Sequence, residues 1–96
     1  MYVVILGLGH VGQSLAEWLI GRQHEVAAVD RDNATCAALD ERLGGISIVG
    51  DGTETSVLAK AGTSRADIFI ATTGRDDFNL VACQLARHHF GVSRTL

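Results

Sequence analysis

The run Gly7-Leu8-Gly9-His10-Val11-Gly12 is the strongest candidate for chemistry in the sequence. In a G-x-G-x-x-G turn the first glycine permits a tight bend and the second lets a pyrophosphate approach the backbone. The third allows the following helix to pack closely on a sheet. A helix starting there aims unpaired N–H groups at an anion. His10, inside the turn, either offers a phosphate a hydrogen bond or a charge, or simply faces solvent. Alone the hexapeptide is a weak signal, so its surroundings decide its meaning.

Asp30 stands 18 residues after Gly12, at the end of an apolar run. A carboxylate in that place accepts both hydroxyls of an adenine ribose and repels a 2′-phosphate. NAD(H), ATP, ADP and AMP all carry that diol, so the expected ligand is one of these rather than NADP. The alternative for Asp30 is a helix N-cap. Arg31 either softens the exclusion of a 2′-phosphate or lies flat on the adenine ring.

Asp51-Gly52-Thr53 reads in two ways: as a contact with the adenine edge, or as capping, with Asp51 and Glu54 in a capping box or Thr53 capping alone. Thr72-Thr73-Gly74 offers hydroxyls and N–H groups to a phosphate or a second ribose. Asp76, Asp77 and Asn79 suit the positive end of a helix dipole, with a metal or ligand role as the alternative, and His24, His88 and His89 read as structural. There is no nucleophile elbow, no P-loop lysine and no convincing acid/base pair, and Lys60 is the only lysine. No His, Cys and carboxylate spacing calls for zinc. The expectation is a site that binds without catalysing.

Alternating strands and helices must position these residues. Tyr2 to Leu6 and Glu25 to Val29 are nearly all apolar, as expected for strands buried on both faces of a parallel sheet. Ile46 to Val49 and Ala66 to Ala71 give a third and a fourth strand, and Arg94-Thr95-Leu96 begins a fifth. Helix one is expected over His10 to Ile20, with Val11, Leu15, Trp18 and Leu19 inward and Gly21 as its left-handed stop. Asp32 or Asn33 caps helix two, whose small-residue face is Ala34, Ala37, Ala38 and Leu39, with Gly44-Gly45 at its end. Helix three spans Thr53 to Ala61 with Val57 and Leu58 inward. Helix four spans Asp76 to Phe90 with a stripe of Phe78, Val81, Leu85 and His88, and Gly91 stops it. Four strand and helix alternations with short connections predict an α/β, Rossmann-like parallel sheet of order 3-2-1-4-5 with helices on both faces. The pattern is cut off after the start of strand five, which suggests a fragment or a unit that pairs with another chain.

Composition agrees with one globular domain: 96 residues, 47% hydrophobic and 20% charged. A net charge of -3 without a Lys/Arg cluster argues against nucleic acid and anionic membrane surfaces. Cys36 and Cys83 read as buried thiols in a reducing cytoplasm. Met1 leads directly into a strand, and no leader or membrane-length apolar run appears. The expected location is cytoplasmic, without direct membrane insertion and with any membrane role exerted through a partner.

Taken together, Val4 to Gly12, Asp30-Arg31-Asp32, Val49-Gly50-Asp51-Gly52-Thr53, Ala66-Asp67 leading to Ala71-Thr72, and Asp77-Phe78-Asn79 resemble the TrkA-N or RCK (KTN) family. Its members are nucleotide-binding regulators of potassium channels and potassium uptake systems. The resemblance implies a cytoplasmic module that forms homo-oligomers, as dimers or rings, and senses NAD(H) or ATP/ADP. It also implies a membrane potassium channel or transporter subunit as partner. By position it puts Gly7, Gly9 and Gly12 along the pyrophosphate, Asp30 at the ribose, Asp51 and Thr53 on the adenine side, and Thr72 on the phosphate side. The family pattern continues past residue 96 into further strands, a helix used in dimerisation and a smaller C-terminal lobe. The competing reading is the cofactor-binding half of an NAD-dependent dehydrogenase, since both classes share the fold.

Overall fold

The structure is a computed structural model that describes all 96 residues. Its strands are β1 (Tyr2–Leu6), β2 (Glu25–Asp30), β3 (Ser47–Val49), β4 (Ile68–Ala71) and β5 (Arg94–Thr95). They alternate with helices α1 (His10–Gly21), α2 (Asn33–Leu43), α3 (Thr55–Lys60) and α4 (Asp76–Gln84). All neighbouring strands are parallel, in the order β3-β2-β1-β4-β5. This is the expected Rossmann-like sheet. The register sets Leu6 beside Val29 and Ala71, so β1, β2 and β4 end level with one another.

Burial on both faces explains why β1 carries no polar residue after Tyr2. Val4 and Leu6 point with Ala27, Val29 and Phe69 into a layer closed by Val57 and Leu58 of α3 and Ala82 of α4. Val3, Ile5, Val26 and Ala28 point the other way, toward Ala16 and Leu19 of α1 and Cys36 and Leu39 of α2. Burying each Val, Ile or Leu contributes about 1.5–3 kcal/mol, so the central strand alone supplies stabilisation comparable to the whole folding margin of about 5–15 kcal/mol. Every strand also ends on the same rim, where the connecting loops gather.

The inward faces of three helices differ from those expected. On α1 the buried row is Gly12, Ala16 and Leu19, whereas Val11 and Trp18 are 68% and 55% exposed. A glycine and an alanine let the helix axis approach the sheet more closely than a row of large side chains would, and this rotates Val11 and Trp18 outward. Trp18 is covered instead by the Arg22 guanidinium, 4.6 Å from its ring centre. Gly21 stays helical, and the left-handed residue is Gln23, at φ 69°. There the His24 N–H donates to the Leu19 carbonyl and the Gln23 N–H to the Ile20 carbonyl, a Schellman ending.

On α2, Cys36 and Leu39 are buried with Leu43 half-buried, while Ala34, Ala37 and Ala38 face solvent. The larger side chains gain more from burial, and the alanines serve only as good helix formers. Asp32 is the N-cap, accepting the Thr35 N–H at 3.1 Å, and Gly44 ends the helix at φ +92°.

On α4 the buried row is Ala82 and, past the helix end, Ala86; Val81 is 42% exposed and His88 is exposed. The chain widens into a π-helical turn over Leu85–His89, which shifts the phase of the last turn and swings His88 out. Gly91, at φ +75°, stops it as expected.

Smaller differences have local causes. The Asp40 carboxylate accepts the N–H groups of Ile46 and Ser47, so β3 begins at Ser47 rather than Ile46. A 3₁₀ turn, Thr63–Arg65, delays β4 to Ile68. Cys36 is buried but Cys83 only half-buried, and burial raises the pKa of both thiols.

A Cβ placed on Gly12 would lie 1.9 Å from the Gly7 carbonyl oxygen, whereas one on Gly21 would meet nothing within 4 Å. Gly12→Ala is therefore expected to destabilise by at least about 2 kcal/mol, because the obstructing atom is backbone and must move. Gly21→Ala is expected to be neutral or stabilising by about 0.5–1 kcal/mol. Urea unfolding of the two variants checks this, and equal stabilities would contradict it.

Candidate functional site

The loops after β1, β2, β3 and β4 converge around Gly7. Its φ of +100° is accessible to glycine at little cost, and any side chain there would meet the backbone of Thr72 and Thr73 at 2.8 Å. The Gly7 N–H donates to the Val29 carbonyl at 2.8 Å, and its own carbonyl accepts the Thr72 hydroxyl at 2.9 Å. Gly9, by contrast, borders open space, with nothing within 4 Å of an added Cβ. The first and third glycines therefore serve the fold, and the second leaves the approach to the helix end clear.

The N–H groups of Gly9, His10, Val11 and Gly12 find no acceptor within the chain. No side chain caps α1, whose first turn also lacks an acidic residue. The helix start thus keeps its full set of free donors and its positive dipole end.

Asp30 closes one side of this space. One of its carboxylate oxygens accepts the Leu8 N–H at 2.7 Å and the other the Asp32 N–H at 2.8 Å. A carboxylate has about four acceptor sites, so two remain for hydroxyl groups. The helix N-cap is Asp32, one of the two residues offered for that role by the sequence, so capping does not explain Asp30.

The Asp51 loop folds on itself. The Asp51 carboxylate accepts the Thr53 N–H at 2.8 Å and the Thr53 hydroxyl at 2.7 Å. No capping box forms. The Glu54 N–H bonds to the Asp51 backbone carbonyl, Glu54 itself occupies the N-cap, and no side chain caps α3. Gly52 packs closely on Leu6, whose side chain would have to shift to admit a Cβ, 2.3 Å away.

After β4, the donors are largely committed to the fold. Thr72 bonds through its hydroxyl to Gly7, and Thr73 bonds through both N–H and hydroxyl to the Asn79 side-chain oxygen. Asn79 returns a bond to the Thr73 carbonyl at 3.1 Å. It is a clamp on the loop rather than a dipole partner, while Asp76 and Asp77 do lie in the first turn of α4. The Gly74 N–H is left free.

These loops enclose a cleft of about 280 Å³. Of the residues expected from the sequence, Gly7, Leu8, Gly9, Asp30, Arg31, Asp51, Gly52, Thr53, Thr72, Thr73 and Gly74 line it. His10 and Val11 instead flank a shallow apolar depression on the outer face of α1, with Trp18. Gly12 is buried behind the turn. Three lining residues were not anticipated: Leu6 at the floor, and Arg75 and Phe78 at the start of α4. Their sequence signal is an Arg and an aromatic three positions apart across a helix start, a spacing that puts both on one side of the first turn.

The charges around the cleft are balanced locally. The Arg75 guanidinium pairs with Asp77 at 2.7 Å, which raises the arginine pKa and lowers that of the carboxyl. The N–H and hydroxyl of Thr53 hold the Asp51 carboxyl below its ordinary range against partial burial, and the charge of Arg31 adds to the lowering. No group of three or more His, Cys, Asp or Glu side chains comes together to hold a metal ion. No helix is long and apolar enough to cross a membrane.

These features define a Rossmann-type domain, with a glycine turn and a carboxylate flanking the switch point of a parallel sheet. The chain belongs to the TrkA-N domain family, whose model matches residues 3–96. It is 42% identical over 89 residues to a Trk system potassium uptake protein TrkA homolog of Methanothermobacter thermautotrophicus, covering 93% of this chain and 41% of that protein. The chain spans about two fifths of the length of the first curated relatives it matches.

Two solved structures share the fold. The TrkA-N domain of the inner membrane protein ybaL from Escherichia coli superposes with a TM-score of 0.84 at 16% identity, covering 99% of this chain and 85% of that one. The Kef CTD of Shewanella denitrificans in AMP bound form gives 0.80 at 21% identity, covering 98% and 57%.

The lowered Asp51 pKa fixes the sign of an acid effect. A carboxyl whose pKa falls on folding adds stability above its unfolded value, and that contribution is lost as pH drops through the folded value. Melting temperature is expected to be flat from neutral pH to about 5 and to fall below about 4, the ordinary aspartate range. Asp51→Asn should melt a few degrees lower at neutral pH and converge with the parent in acid. A constant offset at every pH would contradict this.

Proposed function

We propose that this domain binds an adenine nucleotide, NAD(H) or ATP/ADP/AMP, and acts as a regulatory module rather than an enzyme. The observation that carries the reading is the set of four unpaired N–H groups at the start of α1, beside an Asp30 carboxylate with acceptor sites to spare. In this reading the Gly9 to Gly12 N–H groups receive a phosphate, and His10 and Val11 take part through their backbone alone. Asp30 takes the ribose hydroxyls, Asp51, Gly52 and Thr53 border the base, and Gly74 offers a further N–H. Thr72 and Thr73 shape the loop. The AMP-bound Kef domain supports the ligand class, and the TrkA relatives support the context.

That context is potassium transport. The ligand state would be passed to a membrane potassium channel or uptake subunit by a homo-oligomer, a dimer or ring, on the cytoplasmic side. The binding residues lie on four separate loops, so a bound ligand would bridge the two helix layers. Both cleft carboxylates are held by backbone N–H groups, and neither is paired with a second titrating group to form an acid/base couple.

Calorimetry with NADH, NADPH, ATP, ADP and AMP tests the binding claim. At least one unphosphorylated adenine ribose ligand should bind, with NADPH at least about tenfold weaker than NADH because its 2′-phosphate meets Asp30. Asp30→Ala should weaken binding about 10- to 100-fold, the range for hydrogen bonds to a charged group. Absence of binding by all five ligands would sink the proposal, and NADH turnover with a simple carbonyl substrate would sink its regulatory part.

A further inference from the structure

Phe78 has no part in the hydrophobic core. It is half-buried in the first turn of α4 and packs against none of the three core clusters. Yet its ring lines a cleft whose other residues, apart from Leu6 and Leu8, are glycine, threonine, aspartate and arginine. A large aromatic left out of the core, in polar surroundings, offers a flat surface for stacking.

Two guanidinium groups lie near that ring, one from each helix layer. Arg75, the N-cap residue of α4, lies 4.2 Å from the ring centre and is anchored by Asp77. Arg31 comes from the β2–α2 loop, on the opposite helix layer, and stands 5.8 Å from the centre. It makes no salt bridge, its guanidinium makes no hydrogen bond, and it is exposed, so it is free to move. Atoms in contact sit about 3.5–4.0 Å apart, so a planar ring held between two others needs about 7–8 Å. The guanidinium carbon of Arg31 therefore needs to withdraw from the ring centre by only about 1–2 Å, within reach of a change in one long side chain. The charge of Arg31 is also felt at Asp51, which puts its head near the loop assigned to the base side.

We propose that Phe78 is the base-recognition residue of the cleft, with the purine of the bound nucleotide entering between the Phe78 ring and the Arg31 guanidinium. This rests on the nucleotide reading above and deepens it. Arg75, anchored by Asp77, packs on the Phe78 ring, while Arg31 closes over the base as a cation on its π-face. Stacking of this kind favours the larger purines over pyrimidines through contact area and is insensitive to the base edges, which the Asp51 loop borders.

The test compares ADP with inorganic pyrophosphate, which lacks a base, in the parent chain, Phe78→Ala, Phe78→Leu and Phe78→Trp. Phe78→Ala and Phe78→Leu should weaken ADP binding about 5- to 100-fold, the range for loss of one base–aromatic stack, with pyrophosphate affinity unchanged within about twofold. Both should reduce the hypochromism of the adenine absorption band on binding, and Phe78→Trp should preserve affinity and hypochromism. Phe78→Leu retains an apolar side chain and covers the case in which the alanine variant folds poorly. Unchanged ADP binding in both variants overturns the inference and leaves the nucleotide reading standing. An equal loss for ADP and pyrophosphate also overturns it, because the ring would then act through loop geometry. A parent chain that binds neither ADP nor pyrophosphate overturns this inference, and the nucleotide reading falls with it only if NADH, NADPH, ATP and AMP also fail to bind.

Discussion

Gly7 is the point on which the arrangement of the cleft depends. Its N–H is tied to β2, its carbonyl receives the hydroxyl of Thr72 after β4, and its backbone lies where only a glycine at position 12 lets α1 pass. One residue thus couples three strands and a helix at the carboxyl rim of the sheet. The left-handed turn it adopts ends β1 and directs the chain into α1 with the helix start open. An added methyl group would collide with the Thr72 and Thr73 backbone, so this constraint is steric and covalent rather than a balance of weak contacts.

The domain carries a formal charge of -3, and the cleft includes two carboxylates, yet the site reads as one for an anionic ligand. The resolution lies in where the charges are directed. Asp30 and Asp51 each accept two hydrogen bonds from nearby groups, so much of their field is answered locally. The free donors are backbone N–H groups at a helix start, which attract an anion without a basic side chain. The guanidinium groups of Arg31 and Arg75 stand at the cleft, one without an ion pair and one held by Asp77. On the proposed reading, the phosphate is held by the fold itself and the side chains identify the sugar and base.

Strand order, the two-sided burial of β1 and the glycine turn were legible in the sequence because each follows from a local pattern with few physical solutions. Helix faces were less legible. Val11, Trp18 and Val81 have the right spacing for an inward stripe, but how near a helix approaches a sheet depends on small residues such as Gly12 and Ala16, and hydrophobicity alone undervalues them. His88 left its stripe because the helix widened into a π turn, which no residue pattern announced. In the site, the positions of Asp30 and the Asp51 loop followed from topology. The internal commitments of Thr72, Thr73 and Asn79 did not, because they depend on which of several donors the folded loop brings within reach of each acceptor. Phe78 passed for a core residue in a helical stripe, and only its packing shows that the core does not use it.

The claim central to this account is that the open start of α1 is where the ligand phosphate is received. The most direct measurement is a titration of the ¹⁵N-labelled chain with ADP, followed through its backbone amide resonances. The account predicts that the Gly9, His10, Val11 and Gly12 amides show the largest shifts, together with Leu8, whose N–H is bound to Asp30. Saturable shifts confined to the outer face of α1 around Ser14 and Trp18, or to loops away from the glycine turn, would contradict it.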